Sequence, residues 1–163
     1  MCVTRGLRPL GCQTASGLPP VRTTLNVIMN IEQAFEKSLI ELESKGFDGI
    51  GEPERVLATI WAVEAEVNNG GFDQLFYNTA GDIAFYAAKA LSSIGAHKMA
   101  GITQKALDLF GEGGPPRDRD ERVEALESIS EKHEEYLHKL DYEFTEYPDN
   151  IQELLFTYVQ SNF

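Results

Sequence analysis

Glu64, Glu66, Asn68, Asn69, Asp73 and Gln74 lie within eleven residues of one another and flank a Gly70-Gly71 pair. Paired carboxylates can move protons to and from a substrate as general acid and base. Here they have no accompanying nucleophile, nearby histidine or second motif, so neither hydrolysis nor metal binding is expected of them. The glycine pair is not a phosphate loop, because the Lys and Ser/Thr of that motif are missing. Two readings remain open. In one, the glycines make a turn, the asparagines bond local backbone and the aromatic residues fill the core. In the other, the polar groups line a pocket for a small molecule or peptide.

The second concentration of chemistry is charge. Residues 118–149 carry twelve acids and only four bases. Asp120, Glu121, Glu124, Glu127, Glu131, Glu134 and Glu135 recur at helical intervals beside an apolar stripe of Val123, Leu126, Ile129, Leu137 and Leu140. At about 1.5 Å of rise per residue, Glu124 and Glu131 are roughly 10 Å apart along the axis, and successive carboxylates about 5–6 Å. Phosphates along one DNA strand rise about 3.4 Å each on a helical path. A helix can therefore hold carboxylates at phosphate-like intervals, at a few tenths of a kcal/mol for each like-charged pair. The alternative is a solvated face that keeps the protein in solution.

The charge of the whole chain follows the same division. The 163 residues carry a formal net charge of -12. Residues 1–28 hold Arg5, Arg8 and Arg22 with no acid, and residues 29–163 hold all 26 acids against 11 bases, a balance of -15. Such a domain repels nucleic acid and anionic membranes and attracts basic surfaces. Both cysteines, Cys2 and Cys12, precede it, so the folded part has no disulfide and no Cys-based zinc site, which fits a reducing cytoplasm. Glu134 and His138 share a helix face, but a surface ion pair suits them better than a metal.

The elements that must position these groups read as helices. Residues 1–28, rich in Gly, Ser, Thr and Pro, read as a disordered or non-native N-terminal extension. From Asn30, which with Gln33 resembles a capping box, Phe35, Leu39, Ile40 and Leu42 define a first helix ending at Gly46. Glu52-Pro53 opens a second, with Val56, Leu57, Ile60, Trp61 and Val67 as its apolar face. Asn68-Asn69-Gly70-Gly71 ends that helix, and a short one follows from Phe72 to about Asn78. Helices over Ile83–Ile94 and His97–Phe110 come next. Gly113-Gly114-Pro115-Pro116 reads as a loop. A long helix then starts at Asp118 or Asp120, and Asn150 with Glu153 caps the last. No strand-like alternation or membrane-length apolar run appears. The expected fold is all-α, a single compact domain of about seven helices over residues 29–163.

The run Glu66-Val67-Asn68-Asn69-Gly70-Gly71-Phe72-Asp73-Gln74, with Trp61 before it and Phe76, Asn78 and Gly81 after it, resembles the signature of a bacterial family of acidic DNA-mimic proteins. That family is all-helical and was formerly of unknown function. Ala90-Leu91 and Ile94-Gly95-Ala96 also look like it, and the similarity covers about residues 32–160. The resemblance implies a protein that occupies the DNA-binding surface of a transcription factor or another basic nucleic-acid-binding protein. The expectation is thus a cytoplasmic, non-enzymatic protein without cofactor or metal. It would bind a basic DNA-binding protein through the 118–149 acids, with no direct contact to nucleic acid or membrane. Homodimer formation is left open. The alternative is a helical ligand-binding or enzymatic domain with a polar pocket at the Asn68–Gln74 turn.

Overall fold

The computed structural model describes the backbone of residues 22–163 and side chains from Ile31 onward. Six α-helices occur in this order: α1 (Arg22–Lys45), α2 (Glu52–Tyr77), α3 (Ala87–Ser93), α4 (His97–Leu107), α5 (Arg119–Thr145) and α6 (Ile151–Asn162). A 3-10 stretch, Thr79–Tyr86, leads into α3, and shorter 3-10 turns follow α1 and α4. There is no strand among the described residues. The expected extension falls outside the described residues as far as residue 21, whereas residues 22–28 form the first turns of α1. The helix therefore starts before the Asn30 cap read from the sequence.

Six helices replace the expected seven because the glycine pair bends a helix without ending it. Gly70 (φ -159°, ψ 23°) and Gly71 (φ 77°, ψ -175°) leave helical geometry, and the chain resumes the helix at once through Tyr77. Asn68 and Asn69 remain helical. Other boundaries follow their signals. The Asp118 side chain accepts from the Glu121 N–H (3.1 Å). Asn150 accepts from the Glu153 N–H (3.4 Å) and donates its side-chain amide to Glu153 Oε2 (3.0 Å).

The core is centred on α2, which packs against α1, α3, α5 and the 3-10 stretch. Val56, Leu57, Ile60, Val63 and Val67 from its first part join Phe72, Leu75 and Phe76 from its second. Phe144 of α5 meets Phe72 edge-on at 5.7 Å between ring centroids. Two residues placed on apolar stripes do not enter this core. Trp61 is 50% exposed and Ile40 58%. Trp61 leans on Phe35 (5.4 Å between centroids) at the edge of the α1–α2 contact instead.

One charged residue is fully inside. Arg122, in the first turns of α5, is 0% exposed. All five of its N–H donors are used. Nε donates to Phe76 O (2.7 Å), Nη1 to Pro116 O (2.9 Å) and Arg117 O (3.0 Å), and Nη2 to Asn78 O (3.1 Å) and Asp82 Oδ1 (2.7 Å). A planar, always charged fork is the only side chain able to satisfy that set. Gly81 leaves it room, since a Cβ there would overlap Arg122 Nε and sit 2.8 Å from Leu75 O.

Arg122→Met should therefore leave four carbonyls and the Asp82 carboxylate without their donor, at a cost of about 3 kcal/mol or more. Gly81→Ala should destabilise through the same seat. Urea unfolding followed by circular dichroism measures both. A loss under about 1 kcal/mol, the worth of one ordinary hydrogen bond, would mean that Arg122 does not organise this end of the fold.

Candidate functional site: the exposed face of α5 and the turn beside it

The α5 sequence divides into two sides. Leu126, Ile129, Leu137, Leu140 and Phe144 are buried, and Val123 is half-buried. Asp120, Glu121, Glu124, Glu127, Glu131, Glu134 and Glu135 are all exposed. Asp120, Glu124, Glu127, Glu131 and Glu134 recur at alternating spacings of four and three, which holds them on one narrow stripe, away from the core side. None of the seven has a cationic partner within ion-pair distance among the described residues.

The bases of α5 are used elsewhere. Arg122 is inside. Arg119 lies over the Tyr77 ring (5.0 Å) and donates to Tyr77 O (3.0 Å). Lys132 donates to Ser128 Oγ (2.9 Å), and Lys139 pairs with Glu143 (3.7 Å). Four of the other five acids of residues 118–149 have structural tasks, and Glu146 is exposed without a partner. Asp118 caps α5. Asp149 Oδ2 accepts from the Lys98 N–H (2.8 Å) and the Met99 N–H (2.9 Å), capping α4 from the α5–α6 loop. Glu143 lies 3.9 Å from Lys105. The structure thus separates the acids that hold the fold from those that face water.

The stripe is not straight. His133 (φ -130°, ψ 20°) breaks helical geometry between Glu131 and Glu134. Every residue from Glu131 to Tyr136 is exposed, so α5 has no packed side over more than one turn there. His133 and His138 are exposed, and no cluster of three His, Cys, Asp or Glu suited to a metal occurs among the described residues.

The Asn68–Gln74 turn lies against the other flank of α5. Its apolar side is filled core, with Phe72, Leu75 and Phe76 at 0% exposure. Its polar side opens into a groove of about 690 Å³ lined by Asn69, Asp73, Gln74, Tyr77, Asn78, Val123, Leu126, Glu127 and Ser130. Asp73 is held by the Ser130 hydroxyl (2.7 Å). Gln74 (2.7 Å) and Asn78 (2.9 Å) both donate to Glu66 Oε2. Asn68 donates to Tyr147 Oη (2.7 Å), and that hydroxyl donates to Glu64 Oε1 (3.0 Å), so Asn68 anchors the α5–α6 loop. The aromatics of the motif pack the core, and Asn69, Asp73 and Gln74 line an open groove. Trp61 and Glu66 lie on the far side, in a second groove.

Sequence reading passed over Asp141. Its Oδ1 accepts from the Phe72 N–H (2.8 Å), where Gly71 has no side chain; a Cβ at Gly71 would lie 2.7 Å from Asp141 Cγ. Asp141 thereby restarts the second part of α2. The nearest sequence signal is the positive φ that a Gly-Gly pair permits, which marks a bend but not its partner.

A sequence model of a family described as DMP19-like protein matches residues 48–162. No curated protein and no solved structure matches the chain significantly.

Burial raises the Asp141 carboxyl above its ordinary value of 3.8; the Phe72 N–H and the charge of His138 oppose the rise, and Asp73 adds to it. The folded protein consequently holds this proton more tightly than the unfolded chain does. The stability it contributes is present below the unfolded value and is lost as pH rises through the folded one. Asp141→Asn keeps an acceptor for Phe72 and cannot ionise. Its stability relative to the parent should improve from about pH 3 to about pH 6. Paired urea midpoints across that range read the effect, and a flat or declining difference contradicts it.

Proposed function

We infer the function from the family: the chain belongs to the DMP19-like proteins, whose model matches residues 48–162, more than half of its length. Together with the resemblance to acidic DNA mimics, this supports a non-enzymatic protein that binds a basic DNA-binding protein. Asp120, Glu121, Glu124, Glu127, Glu131, Glu134 and Glu135 stand in for phosphates and occupy the partner's DNA-binding surface. The observation that carries the reading is the set of seven exposed carboxylates on α5 without a cation partner; the other described exposed acids that lack a partner, Glu32, Glu36, Glu43, Glu112 and Glu146, are fewer and spread over α1 and two loops. Left unneutralised, they keep their field for an incoming basic surface, which speeds encounter and makes the complex salt-sensitive. The family motif acts from behind. Gly71, Phe72 and Asp73 bind α2 to α5 and fix where the carboxylate stripe points.

The groove beside Glu127 belongs to the same surface. Asp73 and Gln74 are each engaged by another protein side chain, so they are better suited to shaping the groove than to chemistry. No described helix is long and apolar enough to cross a membrane.

The immobilised protein, exposed to lysate of its host, should capture a protein that duplex DNA elutes and that itself binds DNA. Replacing Glu124, Glu127, Glu131 and Glu134 by Gln should weaken capture by about tenfold or more, equal to about 1.4 kcal/mol, and flatten its salt dependence. Capture that DNA does not displace, or that survives the four substitutions unchanged, refutes mimicry by α5.

A further inference from the structure

Trp61 and Glu66 are left unexplained by the α5 surface. Both line a groove of about 560 Å³ formed by the end of α1, the middle of α2 and the 3-10 stretch. Its apolar walls include Leu39, Leu42, Ala62 and Ala65. Trp61 packs Phe35 and is otherwise half-exposed. Glu66 is half-buried. Its Oε2 accepts from Gln74 and Asn78, and its Oε1 makes no hydrogen bond among the described residues. A carboxylate hydrogen-bonded at one oxygen, in one groove with an indole and alkyl side chains, is an arrangement for a cation on an apolar stem.

The other charged groups of the groove are already matched. Asp82 accepts from the buried Arg122. Arg117 pairs with Asp48 (3.1 Å) and lies over the Phe85 ring (4.8 Å). Glu66 is therefore the charge left to meet a ligand, within a domain that carries an excess of acid.

We propose that this groove binds an arginine side chain of the protein partner, its stem along Leu39, Leu42, Ala62 and Ala65 and its guanidinium between the Trp61 ring and Glu66 Oε1. The fit is one of charge and shape. A guanidinium is planar, weakly hydrated and stacks on aromatic faces, and its fork can meet a carboxylate edge. The stem covers apolar surface that a bare ammonium would leave wet. The groove rests on the basic-partner reading, but none of the α5 carboxylates takes part in it. Gln74 and Asn78 line the α5-side groove and donate to Glu66, so a hydrogen-bonded wall separates the two sites. A partner seated on α5 would place an arginine beyond that wall.

Trp61 is the only tryptophan of the chain, so its emission reports on this groove alone. Acetyl-arginine methylamide should shift that emission saturably in the full chain, with a dissociation constant of order 1 mM, a free energy of about -4 kcal/mol. Acetyl-citrulline methylamide has the same shape without the charge and should bind at least about tenfold more weakly. Glu66→Gln should abolish the arginine response, and Glu127→Gln, on the other groove, should retain it. Equal responses to arginine and citrulline overturn the proposal. So does a Glu66→Gln protein that unfolds like its parent and titrates like it. If Glu66→Gln does not fold, the arginine–citrulline comparison on the parent decides alone. Absence of any arginine response in the parent protein, with α5-dependent capture intact, would remove the groove and leave the basic-partner reading standing.

Discussion

The fold depends on placing one guanidinium where water cannot reach it. A buried cation is costly unless every donor is met and a counter-charge is near. Arg122 meets both conditions by drawing on four separate pieces of chain: the end of α2, the turn after it, the 3-10 stretch and the loop before α5. Only α2 and the 3-10 stretch also pack extensively on each other. Their carbonyls converge because the chain has to supply five acceptors. The arginine therefore sets where α5 begins relative to the end of α2. Gly81 is part of the same constraint, since any side chain there would take the space of the fork.

Once α5 is set at that end, the acids on it are sorted by their place on the helix. Asp141 and Glu143 reach back to the body, and Asp118 and Asp149, just outside the helix, cap α5 and α4. Those on the outward stripe have only one another. Like charges three and four residues apart cost a few tenths of a kcal/mol per pair, and a helix with such a stripe would be weak alone. Packing of Leu126, Ile129, Leu137, Leu140 and Phe144 offsets that, at about 1.5–3 kcal/mol for each large apolar side chain removed from water. Where packing lapses, between Ile129 and Leu137, the helix distorts at His133. The bend coincides with the longest exposed run of α5 and falls within the acidic stripe.

Much of this was legible in the chain and some could not be. Capping residues and the apolar period are local, so Asn150, most of the core stripe of α5 and, as one of two starts read for it, Asp118 were placed from spacing. The glycine pair was read as a turn, and Gly71 does take positive φ, but whether a bend ends a helix depends on what lies across it. Asp141, sixty-nine residues away, accepts the freed Phe72 N–H and lets the helix continue. Trp61 fell on the apolar period of α2 yet lies at the edge of a groove, because period tells which side a residue takes and not how far cover extends. Arg122 looked like one more surface base in an acidic helix. Its burial depends on carbonyls from sequence-distant segments, which no spacing rule encodes.

Charge and shape have different parts in recognition on this surface. The outward stripe of α5 alone would attract any basic protein, since long-range fields discriminate poorly between one cluster of lysines and another. Selectivity needs a place where a wrong partner leaves something unpaired or a pocket unfilled. On the proposed reading, the two grooves beside the Glu66–Gln74–Asn78 wall would supply it, one next to Glu127 and one lined by Trp61. Real duplex DNA offers its partners regular phosphates and base edges, but no tryptophan. A protein that takes the place of DNA can therefore be held more tightly than DNA by the same basic surface, provided that surface also carries a side chain for the groove. On that reading the motif residues of α2 would have one role in common: they line, on both sides of a single wall, the parts of the surface that charge cannot specify.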